Sequence, residues 1–164
     1  MPSITVLMAV YNGERWLAES IQSVLEQTFT NFEFIIINDG SDDGSLQIIN
    51  QFSKKDSRIR VYNKKNSGLA DSLNYGIAEA RGEWIARIDA DDICSLDRLQ
   101  KQIEHVRLNT DLVLVGSGLV IIDENGQQSK VHLYPDRHSR LTRRLFRASP
   151  FFAHSSAFFK LCSV

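Results

Sequence analysis

Two near-continuous apolar runs separated by one amphipathic segment constrain the fold of this chain most. Residues Ile4–Val10 and Phe32–Ile37 are rich in β-branched side chains, which is typical of strands buried on both faces. Between them, apolar side chains recur at helical spacing at Leu17, Ile21 and Val24. A buried strand, a helix and a second buried strand predict a parallel pair joined by a crossover helix.

The same alternation continues over the first 108 residues. The further predicted elements are a helix at 42–52, a strand at 58–62, a helix at 69–80, a strand at 84–88 and a helix marked by Leu96, Leu99, Ile103 and Val106, with Ser95 as its N-cap. Crossover connections of this kind are right-handed in nearly all proteins. The pattern therefore predicts an α/β fold, a mostly parallel sheet with helices on both faces.

Residues 109–164 differ in character from this first part. Apolar runs at 112–115 and 119–123 predict strands, and Asn125-Gly126 is typical of a two-residue hairpin turn before a strand at 127–133. We therefore expect antiparallel strands to join the sheet here. The segment 130–147 holds six Lys or Arg residues and a single acid, so it carries +5 while the whole chain carries −1.

Composition excludes several classes of protein. A net charge of −1 gives no global attraction to nucleic acid, and we expect no nucleic-acid partner. The longest apolar stretch, 112–122, is interrupted by glycine and serine and is much shorter than the roughly 20 residues of a membrane-spanning helix. Because the N-terminus lacks the pattern of a secretory signal, we expect a cytoplasmic protein. The two cysteines have no zinc-ligand spacing.

Three polar loops follow predicted strands, at 9–14, 38–45 and 89–92. Ligands of open α/β sheets bind at the carboxyl ends of the strands, where loops present side chains without disturbing the core. We therefore expect these loops to meet at one edge, with Asp39 and Asp91 facing a shared hollow.

The densest of these signals is the acidic run Asp89-Ala90-Asp91-Asp92. In an extended segment Asp89 and Asp91 point to the same side. Two such carboxylates repel each other, and Mg²⁺ or Mn²⁺ shared with a diphosphate removes that conflict. The alternative is a solvated acidic turn that caps the next helix.

The other loops also allow two interpretations each. Asp39 accepts hydrogen bonds from a nucleobase or ribose, or belongs to an ordinary Asp-Gly-Ser turn. Tyr11 stacks on a base or packs against the domain. The segment 66–68 is a plain turn, or a place where the backbone approaches a ligand that a Cβ would block.

Taken together, these segments resemble a known family. They are Val6–Glu14, Leu25–Phe29, Ile37–Asp43, Asn66–Leu69, Asn74–Ile77, Ala80–Ile85, Asp89–Asp92 and Asp97–Leu99. In this order they resemble the nucleotide-binding half of glycosyltransferase family 2, inverting enzymes with the GT-A fold, a Rossmann-like three-layer α/β/α sandwich. One departure is Leu73, where many members carry an arginine that contacts the nucleotide.

The resemblance implies a set of site residues. The implied nucleotide-sugar contacts are Ala9, Tyr11, Asn12, Glu14, Asp39, Ser41, Gly68, Asn74 and Asp89. Within this set, Asp39 holds the base or ribose, and the segment 68–74 closes over the uridine-like part. Asp89 and Asp91 are the implied ligands of Mn²⁺ or Mg²⁺, with Asp92 as the alternative to Asp91.

The resemblance also implies a reaction, the transfer of a hexosyl unit with inversion. The donor is a nucleoside-diphosphate sugar, a UDP-sugar as first expectation, and the acceptor is a glycan or a lipid-linked sugar. We expect the catalytic base beyond Val164, so that 1–164 is one truncated GT-A-type domain with a nucleotide-binding part, 1–108, and the start of an acceptor-side part, 109–164. His154 lines the acceptor side or is structural.

Three further interpretations stay open. Four arginines within Arg137–Arg147 fall on one helical face, which is a solvated face or a peripheral contact with anionic lipid at the inner side of the membrane. A nucleotide-sugar-binding module without turnover would carry the same donor site. A haloacid-dehalogenase-like phosphatase also has a DxD at a strand end, although it would leave Tyr11 and Asp39 unexplained.

Overall fold

The computed structural model describes residues 1–134 and 153–161. Its elements are β1 (Ile4–Val10), α1 (Glu14–Leu25), β2 (Phe32–Asn38), α2 (Ser45–Ser53), β3 (Ile59–Asn63), α3 (Leu69–Glu79), β4 (Trp84–Arg87), α4 (Arg98–Leu108), β5 (Leu114–Val115), β6 (Leu119–Ile122), β7 (Gln128–His132), a 3₁₀ helix (His154–Ser156) and β8 (Phe158–Lys160). Six strands form one sheet in the order β3-β2-β1-β4-β8-β5.

The first four strands are parallel, as their composition predicts. β1 lies between β2 and β4, and Ile4 is opposite both Phe32 and Trp84. β3 pairs with the outer side of β2, also in parallel. Each consecutive pair is joined by a helix, so the expected mostly parallel sheet is confirmed.

Side chains of β1 alternate between two hydrophobic cores. Ile4, Val6 and Met8 are fully buried in the larger core, to which α1, α2 and α4 contribute. Leu7 points to the opposite face, where it packs with Leu73 of α3. Helices therefore cover both faces of the sheet, which confirms the three-layer α/β/α arrangement.

Strand β8 was not predicted from the sequence. It lies between β4 and β5 and is antiparallel to both. Phe158 is fully buried, and its ring stacks on Trp84 with centroids 5.1 Å apart. Three residues are too few to show a period of two, so this strand is specified by its neighbours rather than by its own pattern.

The predicted hairpin forms, but it does not join the main sheet. Among the strands that the structure describes, β6 and β7 pair only with each other, in a separate two-stranded sheet. The expected two-residue turn is also wrong, because Asp123 N–H donates to the Gln127 carbonyl (3.0 Å) and leaves three residues in the loop. Gly126, with φ +76°, supplies the left-handed residue of that loop.

Two helices begin later than predicted. α2 starts at Ser45 rather than near residue 42, because the residues before it bind the loop after β1. Ser95 is not the N-cap of α4, which starts at Arg98 after Asp97. The buried Gln27 side chain instead accepts a hydrogen bond from the Leu99 N–H (3.0 Å).

The basic segment Arg137–Arg147 lies outside the described residues. Within the described part of the chain, none of the helices is long and apolar enough to cross a bilayer.

Candidate functional site

Three loops meet at one edge of the sheet, as predicted. They follow β2, β1 and β4, which are neighbours in that order and run in parallel. Their carboxyl ends therefore lie side by side, and the loops contact one another directly. This edge is the candidate site.

The loops after β1 and β2 are joined by reciprocal hydrogen bonds. The Asn12 N–H donates to Ser41 Oγ (3.1 Å), and the Asp42 N–H donates to Asn12 Oδ1 (3.0 Å). Asn12 has φ +52°, a left-handed conformation that asparagine tolerates better than most residues. Two predicted nucleotide contacts, Asn12 and Ser41, thus hold the loops together.

A second exchange connects the starts of two helices. The Glu14 N–H at the start of α1 donates to Asp43 Oδ2 (3.0 Å), and the Gly44 N–H before α2 donates to Glu14 Oε2 (2.9 Å). Asp43 Oδ1 also accepts from the Ser45 N–H (2.9 Å). These carboxylates satisfy N–H groups that have no partner inside their own helices. We refer to Asn12, Glu14, Ser41 and Asp43 as the loop latch.

Replacing Asp43 with Ala should lower the free energy of unfolding by about 1 to 2 kcal/mol, the range for loss of a helix cap. The reason is that two helix-start N–H groups lose their acceptor. Urea unfolding measures the change, with Asp42→Ala as matched control because the Asp42 side chain is exposed and lies outside these bonds. Equal effects of the two variants would contradict a stabilising role of the latch.

Asp39 is buried and fully engaged within the protein. Its side chain accepts hydrogen bonds from Lys64 Nζ (2.7 Å) and from the N–H groups of Ser67 (3.0 Å) and Gly68 (2.9 Å). Burial on its own raises the pKa of Asp39, but these bonds, with one from Ser72, hold the pKa below its ordinary value. The carboxylate therefore stays ionised and fixes the loop before α3.

Lys64 is a site residue that sequence reasoning missed. Its ammonium lies 3.0 Å from the Asp71 carboxylate and 3.2 Å from Ser72 Oγ, in addition to Asp39. Lys64 directly follows β3, the strand beside β2, so its position at the carboxyl edge could have been predicted from the topology. Its partners could not, since Asp39 is 25 residues away in sequence.

The acidic run after β4 forms a turn rather than an extended segment. β4 ends at Arg87, and the Asp92 N–H donates to the Asp89 carbonyl (3.3 Å). The expectation that an extended backbone aligns Asp89 with Asp91 is therefore wrong. The Ser20 hydroxyl of α1 donates to the Asp89 carbonyl (3.1 Å) and so ties the turn to that helix.

Arg87 is a second site residue that was missed. Its side chain is buried, and both of its terminal nitrogens donate to the Asp89 carboxylate, one of them at 2.6 Å. Asp89 therefore has a compensating cation within the protein, so a metal ion is not needed to offset its charge. The buried Nε of Arg87 has no hydrogen-bond partner among the residues described.

In the part of the chain that the structure describes, the other two carboxylates of the turn form no ion pair, although the charge of Arg87 acts to lower the pKa of Asp92. Asp91 is exposed. Burial raises the pKa of Asp92, and the negative charges of Asp89 and Asp91 raise it further, against a hydrogen bond from Ser155. This turn thus carries a surplus of negative charge even with Arg87 in place.

The 3₁₀ helix packs against this turn. Arg98 Nη2 donates to the carbonyls of Arg87 (2.7 Å) and Ser155 (3.2 Å), which ties α4 to both segments. His154 is exposed, and partial burial and the charge of Arg87 lower its pKa. Whether His154 contacts an acceptor stays a prediction.

The residues of the turn fit a divalent ion that also binds phosphate. Their ligands are all carboxylate oxygens, and Mg²⁺ sites commonly use one or two carboxylates together with substrate phosphates. In the part of the chain that the structure describes, no three His, Cys, Asp or Glu side chains converge as a complete metal site. Asp91 is available as a ligand, whereas Asp89 would share its charge with Arg87.

The remaining predicted residues lie around this edge. Tyr11 is 56% exposed, and Ala9 is half-buried at the end of β1. Gly68, with φ +92°, precedes α3, and Asn74 is exposed on that helix. Their contact with a nucleotide stays a prediction.

Two cavities open near these loops. One, of about 530 Å³, is lined by residues of the loops after β2 and β3, among them Ser41, Lys64 and Asn66. The other, of about 450 Å³, includes Asp91. Neither is lined by both Asp39 and Asp91, so these two cavities do not supply the expected shared hollow.

This three-layer α/β/α fold is that of the GT-A glycosyltransferases. The mannosyltransferase PcManGT from Pyrobaculum calidifontis, solved with GDP-Man and Mn²⁺, superposes with a TM-score of 0.72 at 19% identity, over 97% of this chain and 44% of that one. TarS (residues 1–349) of S. aureus, solved with UDP-GlcNAc, superposes with a TM-score of 0.70 at 22% identity, over 98% of this chain and 46% of that one. At these identities the likeness shows the fold.

The chain belongs to glycosyl transferase family 2, whose family model matches residues 5–162. The O-antigen biosynthesis glycosyltransferase WbnJ of Escherichia coli is 35% identical over 161 residues, which covers 96% of this chain and 61% of WbnJ. The predicted family is therefore confirmed. The chain spans between 38% and 61% of the lengths of four curated relatives that it matches.

Proposed function

We propose that this chain carries the donor site of a glycosyltransferase that moves a hexosyl unit, with inversion, from a nucleoside-diphosphate sugar to a glycan or lipid-linked acceptor. The observation that carries the proposal is the acidic turn after β4 at the carboxyl edge, in a chain of family 2. Two proteins of the same fold were solved with GDP-Man and with UDP-GlcNAc. A UDP-sugar is our first choice of donor.

Each part of the edge has its own task in this proposal. The loop latch and the Asp39–Lys64 pair fix the loops that border the nucleotide. Asp91 and Asp89 would hold Mn²⁺ or Mg²⁺, which when bound stabilises charge on the leaving diphosphate. Arg87 keeps Asp89 in one orientation. The proposal assigns no residue of this chain as the base that inversion requires.

Calorimetry with UDP and Mn²⁺ tests the donor site. We expect UDP to bind in the presence of Mn²⁺, and Asp91→Ala to weaken that binding at least about tenfold, or about 1.4 kcal/mol. Asp111→Ala is the matched control, because this exposed carboxylate follows α4, about 16 Å of helix away from the turn. Mn²⁺-independent binding, or equal affinities of the two variants, would contradict a metal role of Asp91.

Other observations distinguish the proposed function from two alternatives, a phosphatase and a binding module without turnover. Membership in family 2 leaves the phosphatase interpretation without support. A binding module without turnover predicts the same calorimetry but no transferase or donor-hydrolysis activity. We also propose that the segment Arg137–Arg147 makes a peripheral contact with the cytoplasmic face of a membrane.

A further inference from the structure

The cavity beside Asp91 is lined by different residues from the cavity beside the loops after β2 and β3. It lies between α1, the acidic turn and the loop of the β6–β7 hairpin, and its volume is about 450 Å³. That volume lies within the range of small-molecule sites. Part of its wall is apolar, formed by Trp16, Ile93 and Ile122. We infer that this cavity binds an uncharged sugar ring; the inference rests on the proposed function, because a sugar is the group transferred.

The chemistry of the walls matches both surfaces of a pyranose. The ring has apolar C–H faces, and an amphipathic aromatic side chain such as Trp16 offers an apolar body together with an N–H donor. It also carries hydroxyl donors around its rim, and ionised carboxylates act only as acceptors. Glu19, Asp123 and Glu124 line the cavity along with Asp91, so acceptors surround the apolar wall.

Charge decides which sugars fit. Among the residues that the structure describes, Glu124 alone of these carboxylates has a basic partner, Arg15 at 3.1 Å, and both side chains of that pair are more than half exposed. Asp123 accepts hydrogen bonds from N–H groups of its own loop, which leave its charge in place. Even with a cation at Asp91, Glu19 and Asp123 would repel the carboxylate of a uronic acid inside the cavity. The cavity therefore favours an uncharged ring.

The two tryptophans of the chain allow a test with an internal control. Trp16 borders the cavity, whereas Trp84 is 6% exposed and stacks on Phe158. In an isotope-labelled sample of the chain each indole N–H gives its own NMR signal, and Trp16→Phe identifies the signal of Trp16. A change confined to Trp16 thus reports on the cavity.

Methyl glycosides of glucose, galactose, mannose and N-acetylglucosamine are the uncharged probes, each added up to about 100 mM because a single ring binds weakly. We expect at least one to shift the Trp16 signal saturably and to leave Trp84 unchanged. Methyl glucuronide should bind at least about tenfold more weakly than methyl glucoside, and Glu19→Gln should narrow that difference. No Trp16 shift with any glycoside, or equal binding of glucuronide and glucoside, would overturn the inference.

A second titration tests whether the bound sugar ring belongs to the donor or to the acceptor. UDP-GlcNAc and GDP-Man are added with Mn²⁺, each beside its bare nucleotide. A ring from the donor predicts that a nucleotide sugar shifts Trp16, that the bare nucleotide does not, and that the glycoside is displaced. A ring from the acceptor predicts that glycoside and nucleotide sugar bind together.

The same spectra keep this inference separate from the donor-site proposal. Gly40 follows Asp39 in sequence, and the Gly68 N–H donates to the Asp39 carboxylate. The NMR signals of these two amides therefore report nucleotide binding near Asp39. If they respond to UDP while Trp16 responds to no sugar, the inference fails and the donor site stands. If Trp16 responds to glycosides while both amides stay silent with UDP and with GDP, the donor site fails and the sugar cavity stands.

Discussion

Asp39→Ala is expected to lower the free energy of unfolding by about 3 kcal/mol at pH 7, because it removes one partner of a buried ion pair. Asp39 is 3% exposed, and its loss leaves the Lys64 ammonium and two loop N–H groups without their carboxylate. For a chain of this length that change corresponds to a fall in Tm of about 6–12 °C. Thermal unfolding followed by circular dichroism measures it.

Asp71→Ala is the matched control for this variant. Asp71 contacts the same ammonium at 3.0 Å, but its side chain is 62% exposed. Solvent screens exposed ion pairs, which contribute little to stability, so Asp71→Ala should change stability far less. If the two variants lose the same stability, burial of Asp39 is not the source of its effect.

The contribution of Asp39 also has a predictable pH dependence. Its pKa in the folded chain is lower than its ordinary value, which is about 3.9 in an unfolded chain. The folded state therefore gains stability that is fully present above about pH 4 and is lost as the pH falls through the folded pKa. The difference in stability between the natural chain and Asp39→Ala should shrink over that acidic range. A difference that grows on acidification would contradict the depressed pKa.

Arg87→Met is expected to lower the free energy of unfolding by about 1 to 3 kcal/mol in the absence of divalent ions, because a buried cation and its hydrogen bonds are lost while the Asp89 side chain left behind is 38% exposed. The substitution leaves the Asp89 carboxylate without its cation beside Asp91 and Asp92. If this turn holds a divalent ion, Mn²⁺ should restore part of the loss, because a ligand that binds only the folded state stabilises it. Tm measured with and without Mn²⁺ gives both quantities.

The double variant Arg87→Met with Asp89→Asn separates charge from packing. Replacing both partners of an ion pair leaves no uncompensated charge, so the double variant should be more stable than Arg87→Met. It should also respond less to Mn²⁺, because one of the two proposed ligands is gone. A double variant as unstable as Arg87→Met would show that packing of the Arg87 side chain, rather than its charge, is what matters.

The candidate site was only partly accessible to sequence reasoning. The loops after β1, β2 and β4 were placed correctly at one edge, because parallel strands bring their carboxyl ends together. Arg87 could have been found by the rule applied to Asp89 and Asp91, since residues two apart in a strand share a side. The loop latch could not, because Asn12 and Ser41 are 29 residues apart and both are common in turns.

The amino-acid sequence by itself determined the layers of this protein and the position of its acidic turn. Apolar periodicity records which face of each helix and strand is buried, and that information is local. Only the tertiary structure decided which charges neutralise each other and where the β6–β7 hairpin and β8 lie. Those outcomes depend on distances between segments far apart along the chain, and no local pattern encodes them.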